Sequence, residues 1–293
     1  MRIAVTGLAI ASIAPGCLSE LPVLDDPCIE WPDPGLFRVK IDEPSEPLRK
    51  PYVYVPKSKG PRDLVILLHG GGMSGPKFEE VTGFEDLADR DGLVVVYPNG
   101  LGWPVRSWNA GERYGDDGNH DDVAFLDDVI SDVYPKVCGG RVLVAGFSNG
   151  SMMAQRWACQ GKVPLDGVGA SSGPLLYDSC EGDPLPIRYY HGKQDPVVPI
   201  DGGSARGLDY PSIDESMAVW RTRNRCSDDP PVVTVDGDTT CSEWKCEAST
   251  VQCVIDGWPH QWPGGIHATA TDANATGAIW DWFATAAPVP AGD

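Results

Sequence analysis

The chain has 293 residues, of which 42% are hydrophobic and 22% charged, with a formal net charge of −19. That balance excludes a disordered chain and is enough for one large domain with a buried core. So acidic a surface argues against nucleic acid or anionic lipid as a partner and leaves neutral substrates open.

Residues 1–17 read as a secretory signal. Arg2 supplies the positive start, Ile3 to Ala14 is apolar but too short to span a bilayer, and Ala14-Pro15-Gly16 offers small residues for cleavage. Cys17 follows at once, so a second reading is a lipid on that thiol, the one expected link to a membrane. The expected location is outside the cytoplasm, secreted or lipid-anchored. Residues 18–36, rich in proline and acid, read as a tether. One domain is expected over 37–287, with 288–293 a loose tail. Setting Cys17 aside leaves Cys28, Cys138, Cys159, Cys180, Cys226, Cys241, Cys246 and Cys253. An even number in an exported chain predicts disulfides whose pairing stays open, with the cluster from Cys226 to Cys253 closing loops locally. Zinc is the weaker reading, because no Cys-x-x-Cys pair occurs.

From Phe37 the pattern changes. Phe37 to Ile41 and Tyr52 to Val55 alternate as paired strands do. Asp63 to Leu68, Leu93 to Tyr97, Arg141 to Ala145 and Ile187 to Tyr190 are short apolar runs, which suit strands covered on both faces. Helical spacing occurs over Val123 to Val137, Ser151 to Cys159, Ile213 to Arg225 and Thr271 to Ala284. Strands alternating with helices predict a single-domain α/β fold with a mostly parallel central sheet and helices on both faces.

Gly146-Phe147-Ser148-Asn149-Gly150 follows one such strand and precedes a helical stretch. A Gly-x-Ser-x-Gly bend in that context lifts a hydroxyl above the sheet edge, so Ser148 is the candidate nucleophile. Gly169-Ala170-Ser171-Ser172-Gly173 also matches, but Gly173-Pro174 cannot continue a helix, and Ser171 is read as ending a core strand. Leu68-His69-Gly70-Gly71-Gly72 leaves a strand with an unobstructed main chain. The N–H groups of Gly71 and Asn149 are the expected oxyanion donors. The expected base lies late in the chain. His260, in Gly257-Trp-Pro-His-Gln-Trp-Pro-Gly264, is preferred over His267. Asp195, in the loop after Ile187 to Tyr190, is the expected orienting acid, with Asp201 as alternative.

These segments, with Val96-Tyr-Pro-Asn-Gly100, Ser107-Trp-Asn109 and Asp121-Asp-Val-Ala-Phe-Leu126, resemble the secreted α/β-hydrolase esterases that group polyhydroxybutyrate depolymerases with feruloyl and acetylxylan esterases. The likeness is collinear over about residues 50 to 285. It implies an α/β-hydrolase fold and a triad of Ser148, Asp195 and His260, the same set chosen from the residues. One departure is Trp258-Pro259, where that group usually carries glycine before the histidine. The implied substrate is a feruloyl or acetyl ester of a plant-wall polysaccharide, or a polyhydroxyalkanoate-type polyester. Trp103, Trp108, Trp258 and Trp262 are expected near the mouth, with Trp108 and Trp262 as candidate substrate-binding faces. No cofactor or metal is expected; His120-Asp121-Asp122 reads as a helix start, where acids suit the dipole. The rival readings are an inactive binding protein or a peptidase on the same fold.

Overall fold

The computed structural model describes residues 34–38, 49–58, 62–101, 105–111, 120–205, 208–267 and 274–285. The expected signal, Cys17, Cys28, most of the tether, Trp103 and the tail lie outside them.

In chain order the strands and helices are β1 (Gly35–Arg38), β2 (Tyr52–Val55), β3 (Arg62–Leu68), α1 (Gly75–Thr82), α2 (Phe84–Asp91), β4 (Val94–Tyr97), α3 (Asp122–Val133), β5 (Gly139–Phe147), α4 (Asn149–Gln160), β6 (Gly167–Ser171), β7 (Ile187–Gly192), β8 (Gly203–Ala205), β9 (Leu208–Tyr210), α5 (Ile213–Arg223), β10 (Val232–Asp236), β11 (Thr239–Trp244), β12 (Thr250–Ile255) and α6 (Ala275–Thr285). All but β8 and β9 form a ten-stranded sheet in the order β1-β2-β4-β3-β5-β6-β7-β12-β11-β10. The run from β4 to β12 is parallel, and the outer strands on each side pair antiparallel.

Period-two alternation sends strand side chains to opposite faces. Leu64, Ile66 and Leu68 of β3 join α3, α4 and α5 in one core, around Phe125, Ile130, Met153, Trp157 and Trp220. Val65 and Leu67 join α1, α2 and α6 in the other, around Phe78, Phe84, Ile279 and Phe283. Both faces are therefore dry, which is why these strands read as unbroken apolar runs.

Local chemistry sets the element ends. The Asp121 side chain caps α3 by accepting the Ala124 N–H at 3.0 Å, and Asp122 is its first residue. Pro135 lacks an N–H, so α3 stops at Val133 and continues only as the 3₁₀ turn Tyr134–Val137, not as one helix to Val137. Ser212 and Glu215 form a capping box at the start of α5. Gly83 and Gly92 end α1 and α2 with positive φ. Disulfides join Cys159–Cys180, Cys226–Cys246 and Cys241–Cys253. The last two close the C-terminal strands locally, as the cysteine cluster predicted.

The chain runs from β3 to β4 on one side of the sheet, then from β5 onward on the other. The carboxyl ends of β3 and β5 therefore flank the point where strand order reverses, the usual position of a ligand crevice in an α/β sheet.

Candidate active site

Ser148 stands at that point, between the end of β5 and the start of α4. Its backbone has φ 55° and ψ −122°, a region that L-residues other than glycine rarely occupy. Close main-chain packing holds the bend. A Cβ on Gly146 would strike the Gly150 backbone, one on Gly150 would strike the carbonyl oxygens of Leu68 and His69, and one on Gly173 would strike the Ser148 carbonyl. The Ser148 N–H donates to Ser171 O at 2.8 Å. Ser171 itself is wholly buried at the end of β6, as expected of a core strand.

His260 arrives from the loop after β12. Its Nε2 lies 2.9 Å from Ser148 Oγ, and its Nδ1 lies 2.6 Å from Asp195 Oδ2. With Nδ1–H donating to the carboxylate, Nε2 is left as an acceptor for the serine hydroxyl. The Phe147 ring lies 4.9 Å from the imidazole, centroid to centroid. The base loop is held closely against the acid loop. A Cβ on Gly192 would strike Trp258 O, Gln194 N–H donates to that oxygen at 3.3 Å, and Trp258 Nε1 donates to Gln261 O at 3.1 Å.

Asp195 has a buried side chain, and Oδ1 accepts the N–H groups of Val197 and Val198 at 2.8 and 2.9 Å. Burial pushes its pKa up. The His260 hydrogen bond and charge, with the two backbone donors, outweigh that and hold the carboxyl below its ordinary range. Asp201, the alternative, is exposed. His191 packs behind Asp195, its Nε2 3.7 Å from Oδ2. Tyr189 OH lies 3.0 Å from His191 Nδ1, and His191 Nε2 lies 2.9 Å from Val198 O. Burial lowers the His191 pKa, so it stays neutral. This Tyr189–His191 pair was not anticipated; the strand that carries both also holds Arg188 and Tyr190, so polar residues alone do not single it out.

After β3 the chain turns through Gly70 to Met73, closed by Met73 N–H to Gly70 O at 3.1 Å, with Gly72 at φ 80°. A positive φ at the third position of such a turn is what glycine supplies. Gly72 N–H donates to Arg106 O at 2.7 Å. Asn149 is the first residue of α4, where backbone N–H groups have no intrahelical acceptor. His69 lies beneath this turn. Gly100 N–H donates to its Nε2 at 3.0 Å, so Nδ1–H donates to Gly70 O at 2.9 Å. Burial drives the His69 pKa down to about 4, which makes it a neutral structural group.

Two expectations need correction. Trp108 is completely buried: its Nε1 donates to His69 O at 2.9 Å, its ring lies 5.1 Å from His69, and Arg49 covers it. Trp262 is 1% exposed, packs edge-on against Phe78 and donates to Thr276 Oγ1 at 2.8 Å. Neither offers a face to a substrate. Both are needed under loops, because an indole fills space and its N–H can satisfy a buried acceptor. Among the described residues no group of three or more His, Cys, Asp and Glu is placed to hold a metal.

A serine hydroxyl hydrogen-bonded to an imidazole, itself oriented by a carboxylate, at the start of a helix, is an arrangement suited to nucleophilic attack on a carbonyl. Its setting on this sheet is that of the α/β-hydrolase class. The acetyl xylan esterase of Aspergillus awamori shares the fold, with a TM-score of 0.65 at 16% identity over 85% of this chain and 99% of that one. The chain belongs to the family described as Esterase PHB depolymerase, matched over residues 52–218. It is 27% identical over 231 residues to a protein named putative esterase NocK from Nocardia uniformis, covering 70% of this chain and 66% of that one. It is 34% identical over 153 residues to feruloyl esterase C from Emericella nidulans, covering 49% and 52%. The chain thus spans half to two thirds of the length of these relatives.

Proposed function

We propose that the protein is a carboxylic ester hydrolase that works through an acyl-enzyme on Ser148. The observation that carries this is the run of hydrogen bonds from Ser148 Oγ to His260 to Asp195, at 2.9 and 2.6 Å. His260 Nε2 takes the hydroxyl proton as Oγ attacks the ester carbonyl carbon. The carbonyl oxygen becomes an oxyanion held by the Gly71 and Asn149 N–H groups, each worth about 3 kcal/mol in the transition state. Collapse breaks the bond to the alcohol, which leaves with the proton from His260. Water then attacks the acyl carbon, again giving its proton to His260, and the acid leaves as Ser148 recovers its hydrogen.

Feruloyl or acetyl esters of plant-wall polysaccharide and polyhydroxyalkanoate-type polyesters are the proposed substrates, supported by the family and by the names of the relatives. Export is proposed with them. The disulfides among the described residues suit an oxidising compartment.

The test compares wild type with Ser148→Ala on p-nitrophenyl acetate, methyl ferulate and a peptide, and maps the acylated residue by mass spectrometry. The expected result is ester cleavage that vanishes in the variant, with the label on Ser148. Equal turnover in the variant removes Ser148 from the mechanism; cleavage of the peptide alone would favour a peptidase.

A further inference from the structure

Beside the oxyanion turn lies a cavity of about 260 Å³ whose lining includes Arg49, Lys50, Tyr52, Ser74, Asn99 and Arg106. No carboxylate lines it among the described residues. In a chain with a net charge of −19, three basic side chains around one cavity are a local reversal of sign rather than a reflection of composition.

The cavity opens at the same sheet edge as Ser148. Ser74 ends the turn that follows β3, Asn99 follows β4, and Tyr52 of β2 pairs with Tyr97 at the carboxyl end of β4. Since β4, β3 and β5 are successive neighbours, two inter-strand spacings, about 10 Å, separate its Asn99 side from the strand that carries Ser148.

The three cations are not equivalent. Arg49 is buried and committed to Asp122 at 2.5 Å, with its Nε donating to Asn99 O at 2.8 Å. Arg106 is exposed, and its Nη1 donates to Gly100 O at 3.2 Å. Lys50 is half-buried. Among the described residues neither Lys50 nor Arg106 is paired with a carboxylate. Helix α1 starts at the rim, but it offers the hollow no free donor: the Gly75 and Lys77 N–H groups go to Asn99 and Ser74, and Pro76 has none. Asn99 is held in place, its Oδ1 accepting the Gly75 N–H at 3.0 Å. A guanidinium and an ammonium at one hollow that no described carboxylate lines match a carboxylate ligand.

We propose that this cavity is a carboxylate subsite, taking an acid group carried by the substrate about 10 Å from the ester under attack. The proposal rests on the esterase reading and narrows its substrate class. The free acid end of an oligoester and a uronic acid within a polysaccharide both supply that group.

The test is the ratio of kcat/KM for p-nitrophenyl hydrogen suberate to that for its neutral methyl ester. It is measured in wild type, Lys50→Gln and Arg106→Gln; neither side chain is fully buried, so both variants should fold. The wild-type ratio should exceed one and fall with added salt. It should drop roughly 1.4- to fivefold in each variant, the range for partly exposed charge pairs. A wild-type ratio of one or less, or no change in either variant, overturns the subsite while leaving the esterase reading standing. If neither ester is cleaved, that reading fails, and calorimetric titration with suberate decides the subsite separately. Heat that disappears in the Lys50→Gln/Arg106→Gln double variant supports it, and absence of heat overturns it. Oligo-hydroxyacids with free or methylated ends, and acetylated xylo-oligosaccharides with or without a uronic acid, then tell the two sources apart.

Discussion

The Asn149 side chain clasps the backbone of Trp108: its Oδ1 accepts the Trp108 N–H at 2.6 Å and its Nδ2 donates to Trp108 O at 3.0 Å. The residue whose own N–H is proposed to face the oxyanion thus ties the start of α4 to the segment that backs the oxyanion turn. Asn149→Ala leaves the buried Trp108 N–H without an acceptor, while Trp108 O keeps the Ala110 N–H at 2.9 Å, at a cost of about 2 kcal/mol. Urea denaturation should show that loss, and kcat should fall with it, because the donor is no longer held in position.

Asp195→Asn removes the charge that orients His260 while preserving the shape of the side chain. An amide at that position favours the wrong imidazole tautomer. By analogy with the serine protease triad, kcat should drop by roughly 10⁴-fold with little change in KM. A drop of less than tenfold would show that Asp195 does not orient the base.

The Asp195 shift also predicts a pH effect on stability. Its folded pKa is depressed, so its stabilising contribution is present above the unfolded carboxyl value and is lost as pH falls through the folded one. Melting temperatures of wild type should therefore fall more steeply than those of Asp195→Asn on acidification below the ordinary carboxylate range.

Glu85 has the opposite sign. Burial raises its pKa from 4.5 to about 7, partly offset by the hydrogen bond from Tyr97 OH. The folded state keeps the proton longer than the unfolded one, so stability falls as pH rises from about 4.5 to about 7. Glu85→Gln should remove that slope, and a thermal melt series across the interval reads it directly. An unchanged slope would place the titration elsewhere.

Gly150→Ala should be among the most damaging single-methyl changes in the chain, because its Cβ meets the carbonyl oxygens of Leu68 and His69 on a neighbouring strand and turn. Backbone must shift, at a cost of about 3 kcal/mol or more. Gly277→Ala is the control. Its Cβ meets nothing nearer than 3.4 Å within α6, and it should stabilise by up to about 1 kcal/mol. Urea midpoints of the two variants should move in opposite directions.

What the sequence determined by itself is local or ordered along the chain. The bend at Ser148 is legible because two glycines, a preceding apolar run and a following helical stretch lie within one short window. The apolar runs of β3, β4, β5 and β7 are legible because both of their faces are covered. The candidates Asp195 and His260 followed from chain order. Helices α1 and α2 and the hairpin of β10 and β11 were not anticipated. The helices are about two turns each, both ended by glycine, and β10 is an exposed edge strand with no buried face to impose a pattern.

Tertiary structure alone decided which side chains share space. It placed His260 on Ser148 across 112 positions of chain, set Asp195 rather than Asp201 against it, and buried Trp108 and Trp262 where an open aromatic face was expected. It also gathered Lys50, Asn99 and Arg106 from three separate segments into one basic hollow. Periodicity reports how each element meets its own layer. Which loops converge at one sheet edge depends on strand order, and that is set by packing among residues far apart in the chain.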